Sequence, residues 1–255
     1  MSVNYETVEA HCALITIDRP TARNAVSPEV ARGIEEAFDR AEGDSEVRVV
    51  VITGAPPVFC AGADLKAIQA GRADELSTER GGFAGLVRRE RRLPLIAAVE
   101  GAALAGGMEI VLACDLVVAA RDARFAIAEV KRGLIAAGGG LFRLARKIPT
   151  NIALECALTG DPIDAETAHR HGLVNHLAES GAAVDAALEL AGRIAGNAPL
   201  AVSTSRSVML ESAFDDDATA WRRTAGAFAE IAASQDAAEG VAAFNEKRLP
   251  AWSGR

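Results

Sequence analysis

Residues 48–53 read Arg-Val-Val-Val-Ile-Thr, a β-branched run with no polar face. Such a strand has to be covered on both sides, which is the situation of a strand inside a parallel sheet flanked by helices. The pattern recurs at residues 95–99 and 115–119, with a weaker run at 173–175, and residues 13–18 add a shorter β-rich run stopped by Arg19-Pro20. Helical segments lie between these runs. After Ser27, a natural N-cap, Pro28 suits the first helical position and Glu29 complements the helix dipole. Val30, Ile34, Ala37 and Ala41 then keep one face apolar at helical spacing. Strands alternating with helices predict an α/β fold with right-handed crossovers.

From about residue 163 the character changes. Asp164 caps a predicted helix through Arg170, and Ala- and Leu-rich helical patterns follow at 182–195, 199–212, 221–233 and 237–244. No Pro- or Gly-rich linker separates this region. The reading is an α/β core over residues 1–180 with a C-terminal helical region over 181–255, packed on the core or on a neighbouring subunit. Residues 67–92 are polar and contain Gly71, Gly81 and Gly82. They fit a flap over a pocket and an ordinary surface loop and helix equally well.

Several function classes are disfavoured by composition. The formal charge is −8, and the densest basic stretch, Arg88, Arg89, Arg91 and Arg92, is short enough to read as a solvated helix end, with an anion contact as the alternative. Nucleic-acid binding wants a broader basic footprint. Cys12, Cys60, Cys114 and Cys156 are scattered through apolar runs with no metal spacing. They read as buried thiols of a protein in a reducing compartment. Neither a signal peptide nor a membrane span is expected, so the expected location is cytoplasmic.

Two Gly-rich turns follow strands: Cys60-Ala61-Gly62-Ala63-Asp64-Leu65-Lys66, and residues 101–109, Gly-Ala-Ala-Leu-Ala-Gly-Gly-Met-Glu. Neither matches a dinucleotide or P-loop fingerprint. A small-residue turn opening a helix exposes unpaired backbone N–H groups, and two such turns together can hold one oxyanion. Taken singly, each is equally a tight structural turn. Gly138-Gly139-Gly140 permits close backbone approach. Glu109 and Glu129 each sit in an apolar setting, where a carboxylate is costly unless paired or hydrogen-bonded. Each could be a structural ion-pair or cap residue, or part of an acid–base pair. Asp115 is placed to bond backbone groups at a strand start. His169, His171 and His176 lack ligand spacing, and no GxSxG elbow occurs.

In combination these pieces resemble the crotonase (enoyl-CoA hydratase/isomerase) superfamily. The ordered match runs through Ile15-Thr16-Ile17-Asp18-Arg19-Pro20 with Asn24-Ala25, Phe59 to Lys66, Ala97-Ala98-Val99-Glu100-Gly101, Ala113-Cys114-Asp115 and Phe125 to Gly140. It ends with Leu158-Thr159-Gly160, Gly172-Leu173-Val174 and Phe244-Asn245-Glu246-Lys247-Arg248. The resemblance implies a crotonase-like (ClpP/crotonase) core of repeated β-β-α units. It implies that Ala63 and Gly106 supply the oxyanion-hole amides and that Glu109 and Glu129 are the catalytic glutamates, Glu109 as base toward water and Glu129 as donor to the α-carbon. Ala61, Ala63, Asp64, Leu65, Lys66 and Gly106 are the implied substrate-binding residues, with 64–66 near the CoA adenine.

The implied activity is hydration of a 2-enoyl-CoA in fatty-acid or related acyl-CoA degradation. No metal and no cofactor are implied beyond coenzyme A, which is part of the substrate. A homotrimer, or a hexamer built from two trimers, is the implied assembly, with neither nucleic acid nor membrane as partner. An enoyl-CoA isomerase, a specialised dehydratase for a carnitinyl or steroid side chain, and a non-catalytic acyl-CoA- or RNA-binding member of the fold are the alternatives. Ala128, Ala105 and Ala136-Ala137 depart from the usual Pro, Gly and Pro-Gly, which leaves the acyl group open without removing a catalytic side chain.

Overall fold

A computed structural model describes residues 2–8 and 11–255. The chain runs β1 (Val3–Val8), β2 (Cys12–Ile17), α1 (Pro28–Gly43), β3 (Val49–Gly54), α2 (Leu65–Gln69), β4 (Ser77–Thr78), β5 (Gly82–Phe83), β6 (Leu95–Val99), β7 (Ala102–Leu104) and α3 (Gly106–Ala113). It continues β8 (Leu116–Ala120), β9 (Arg124–Ala126), α4 (Gly140–Lys147), α5 (Thr150–Thr159), β10 (Ile163–Asp164), α6 (Ala165–Arg170) and β11 (His176–Ala178). Four helices close the chain: α7 (Ala183–Ala195), α8 (Pro199–Ser212), α9 (Asp217–Ala232) and α10 (Gln235–Glu246).

The main sheet has the order β1-β2-β3-β6-β8-β11, parallel except for the β1–β2 pair. The continuous apolar runs explain its sandwich. Val50 and Ile52 of β3, Leu95 and Ala97 of β6, and Val117 and Ala119 of β8 pack into the cluster that also holds α1 and α3. Their neighbours in sequence, Val49 and Val51, Ile96 and Ala98, Val118 and Ala120, face the other way onto Ala183, Ala187, Ala191 and Ala195 of α7. Alanine at every fourth residue of α7 lets that helix lie close to the sheet.

A second layer is made by the small sheet β10-β9-β7. After β6 the chain enters β7 and then α3, and after β8 it enters β9, so a main strand hands over to a short second strand before a helix. The loop after β3 repeats this as an isolated bridge, Cys60 to Ala103, ahead of α2. Buried Asn24 ties the loops together. Its side chain accepts from the Arg19 amide at 2.9 Å and donates to the Ala55 and Val58 carbonyls, both at 2.7 Å.

Two expectations need correction. The run at 173–175 is not a strand: Leu173 and Val174 are buried in the turn before β11, which pairs with β8 from His176 onward. The basic stretch is not a helix end either. Arg89 pairs with Asp39 at 2.6 Å, Arg91 with Asp115 at 3.0 Å and Arg92 with Glu42 at 3.4 Å, as the chain turns into β6. Asp115 does accept from the Leu95 amide, at 2.8 Å, and also takes Arg206 at 2.9 Å. Among the described residues no helix is long and apolar enough to cross a membrane.

Candidate active site

The two Gly-rich turns meet. The Cys60 amide donates to the Ala102 carbonyl at 3.1 Å and the Leu104 amide to the Cys60 carbonyl at 2.9 Å. On the other side, Val26 donates to Gly62 at 2.8 Å and accepts from the Asp64 amide at 2.9 Å. In such a parallel bridge the partner bonds the residues flanking Ala63, so the Ala63 N–H points away from Val26. Gly62 makes the turn with φ +95°, and a Cβ there would stand 3.0 Å from the Gly106 nitrogen. Gly106 is the first residue of α3, so no carbonyl lies one turn behind to accept its N–H. Neither the Ala63 nor the Gly106 amide has an acceptor among the described residues. Ala105, which aims the Gly106 amide, sits at φ 50°, ψ −121°, a conformation that suits glycine better than alanine.

One turn beyond Gly106, Glu109 is 4% exposed, and its Oε1 accepts the Gly140 N–H at 2.9 Å. The triple glycine cups this carboxylate, since a Cβ on Gly138 would lie 2.7 Å from Oε2 and one on Gly140 3.0 Å from Cγ. Burial pushes the Glu109 carboxyl up to about 7, helped by repulsion from Glu129 and opposed by the Gly140 and Gly138 N–H groups and by Arg143. Glu129 opens a single 3-10 turn, Glu129–Arg132, after β9. Its pKa is also raised by burial, against its own backbone N–H and Arg132. The buried Oε2 of Glu129 has no hydrogen-bond partner among the described residues.

Both glutamates, Ala63 and Gly106 line one cleft with a volume of about 1020 Å³. Ala61, Asp64, Leu65 and Lys66 line it as well. The Asp64 side chain is already engaged, pairing with Arg19 at 3.0 Å and capping α2 through the Lys66 amide at 3.0 Å, so this stretch offers a ligand mainly its backbone. The electrostatics of the rim run against the net charge. Arg19, Arg23, Lys66, Arg88, Lys131 and Arg132 all face the cleft of a chain with formal charge −8. An acidic protein with a basic mouth favours an anionic ligand.

Sequence reasoning missed two contributors. Phe83, on the β4–β5 hairpin, lies against Gly106, where an added Cβ would come within 2.5 Å of its ring. That hairpin is pinned to α1 by Glu35, which accepts from Thr78 at 2.7 Å and from the Gly81 amide at 3.1 Å. Gly81 and Gly82 mark the turn, but nothing in the sequence says that it faces the cleft. Arg143 is the second, with its guanidinium beside the glycine turn. Among the described residues no group of three or more His, Cys, Asp or Glu could hold a metal ion.

The enoyl-CoA hydratase/isomerase family model matches residues 7–255. The chain is 40% identical over 250 residues to enoyl-CoA hydratase EchA19 of Mycobacterium tuberculosis, covering 96% of this chain and 94% of that one. It is 37% identical over 247 residues to the carnitinyl-CoA dehydratase of Proteus mirabilis, covering 94% of each. The crystal structure of an enoyl-CoA hydratase from M. tuberculosis H37Rv superposes with a TM-score of 0.96 at 47% identity, covering 100% of this chain and 99% of that one.

Proposed function

The chain belongs to the enoyl-CoA hydratase/isomerase family, and we propose that its cleft adds water across the α,β double bond of a 2-enoyl-CoA thioester. The observation that carries this is the convergence on one cleft of two unpaired amides, the buried Glu109 carboxylate and the half-buried Glu129 carboxylate. The Ala63 and Gly106 N–H groups hold the thioester oxygen and stabilise the enolate charge that grows as water attacks the β-carbon. Losing one such donor typically costs ~3 kcal/mol of barrier. A water held between the carboxylates gives a proton to one and its oxygen to the β-carbon, while the other carboxyl delivers a proton to the α-carbon. The product is the 3-hydroxyacyl-CoA, and positioned groups of this kind contribute roughly 10²–10⁴-fold.

The pair works with one proton between its two members. With Glu109 as base and Glu129 as donor, that proton is on Glu129 when water attacks. Burial raises both carboxyls, so either can hold that proton in the resting site. A water bonded to both oxygens can carry it across, giving one proton and taking another. The pair, rather than either residue, owns the resulting pKa values.

The basic rim suits the CoA phosphates, and no cofactor beyond the substrate's own CoA is needed for this chemistry. We assign the acyl-degradation setting, a cytoplasmic location and assembly as a trimer or a dimer of trimers to the same reading. Trp221, Phe228, Val241 and Phe244 are 65–85% exposed along α9 and α10, which supports a subunit contact through the C-terminal region. A second reading, dehydration of a specialised 3-hydroxyacyl-CoA, is favoured by the carnitinyl-CoA dehydratase relative and uses the same groups in reverse.

Loss of the enoyl-thioester absorbance of crotonyl-CoA and longer enoyl-CoAs tests the hydratase reading, with 3-hydroxyacyl substrates run in the other direction. Glu109→Gln and Glu129→Gln should each lower kcat far more than they change binding. Near-wild-type turnover by both variants would sink the proposal.

A further inference from the structure

The Arg143 guanidinium spans two walls of the cleft. One nitrogen donates to the Gly138 carbonyl at 3.0 Å, in the glycine turn that cups Glu109, and the other to the Val87 carbonyl at 2.6 Å, just beyond the Phe83 hairpin. The contact is tight, because a Cβ on Gly139 would fall 2.2 Å from the same guanidinium. A planar fork with several fixed donors is preorganised to satisfy two carbonyls on separate segments at once.

We propose that Arg143 is a positioning residue for the reaction: by joining the Gly138 turn to the Val87 wall it fixes Glu109 against the oxyanion turns and sets a positive charge beside it. This rests on the hydratase reading. The charged groups around the two partners are few. Glu129 reaches Glu109 from the 3-10 turn, while Arg91, ahead of β6, Arg146 and Lys147, on α4, and the Cys114 thiol, kept neutral by burial at the end of α3, face Arg143. Arg143 is the cation that favours the ionised form of Glu109. A purely structural tie would hold the turn without tuning the carboxyl.

Arg143→Gln and Arg143→Lys separate the two. In Arg143→Gln the charge goes, so kcat should fall about tenfold or more, with KM little changed. The upper pKa of the kcat/KM profile should also rise. In Arg143→Lys the charge stays but the fork is lost, so kcat falls while that pKa holds its place. A profile of Arg143→Gln that overlies the wild type, or an Arg143→Lys enzyme with undiminished kcat, would overturn the proposal. Should Arg143→Gln fail to fold, Arg143→Lys still decides.

Melting gives a readout free of turnover. The fall in Tm between pH 5 and 9 should be larger in Arg143→Gln than in the wild type, and the excess should vanish when both carry Glu109→Gln. If the wild type hydrates no enoyl-CoA while the melts behave as stated, the hydratase reading fails alone. If hydration is normal and both the profile and the melts of Arg143→Gln match the wild type, the positioning role fails alone.

Discussion

Replacing Glu109 by Gln should abolish catalysis and, at alkaline pH, make the protein more stable. The carboxyl stands at about 7 against an ordinary 4.5 because burial disfavours its charge. Each tenfold change in proton affinity is worth about 1.4 kcal/mol, so the ionised form is penalised by about 3 kcal/mol relative to the unfolded chain. The sign follows from a folded pKa above the unfolded one. The stabilising contribution of the neutral carboxyl is fully present below pH 4.5 and is lost as pH rises through about 7. Roughly 2–3 kcal/mol of that loss develops between pH 5 and 9.

The amide introduced by Glu109→Gln keeps the size of the neutral acid and still accepts the Gly140 N–H, but it has no charge to bury. Melting curves of the two proteins should therefore nearly coincide at pH 5 and separate by about 5–10 °C at pH 9, with the variant higher. Differential scanning calorimetry or dye-based melting at fixed ionic strength reads this directly. Every other titrating group is common to both proteins and, apart from Glu129, which loses a repelling neighbour in the variant, cancels in the difference. Parallel Tm curves across the range would refute the burial argument, even if the variant were inactive.

Three further substitutions probe the same geometry. Gly138→Ala places a methyl 2.7 Å from the Glu109 Oε2 and should lower kcat about 10²-fold by displacing the carboxylate, as steady-state kinetics with the best enoyl-CoA will show. Gly62→Ala strains a backbone at φ +95° and pushes on the Gly106 nitrogen; turnover should fall about 10²-fold in steady-state kinetics as the oxyanion amides separate. Ala105→Gly relieves the φ of 50° and should raise Tm by about 2–4 °C while leaving KM unchanged.

Most of the framework was legible because long-range burial leaves a local trace. The β3 and β6 runs announced a sheet covered on both faces, and the Ser27-Pro28 start of α1 and the Asp164 cap of α6 are as expected, with both caps accepting backbone N–H groups. The short strands β7 and β9 left no such trace, since segments of three residues are too short to carry a periodicity. β1 alternates between half-buried and exposed residues at the sheet edge, and its polar sequence hid it. For the site, the glutamates stood out as charges in apolar runs. Their company did not: Phe83 lines the cleft from a hairpin, and Arg143, on α4, bonds the Val87 carbonyl of the cleft wall, contacts between segments far apart in sequence.

On the proposed reading, the electrophile-binding half of the cleft is made of main-chain amides, those of Ala63 and Gly106, rather than side chains. Ordinary point mutation can exchange every residue's substituent but cannot delete a peptide N–H, proline aside. Divergence among such chains should therefore leave thioester activation intact while the lining drifts, so that new acyl groups are recruited to an old reaction more readily than a new reaction is found for an old acyl group.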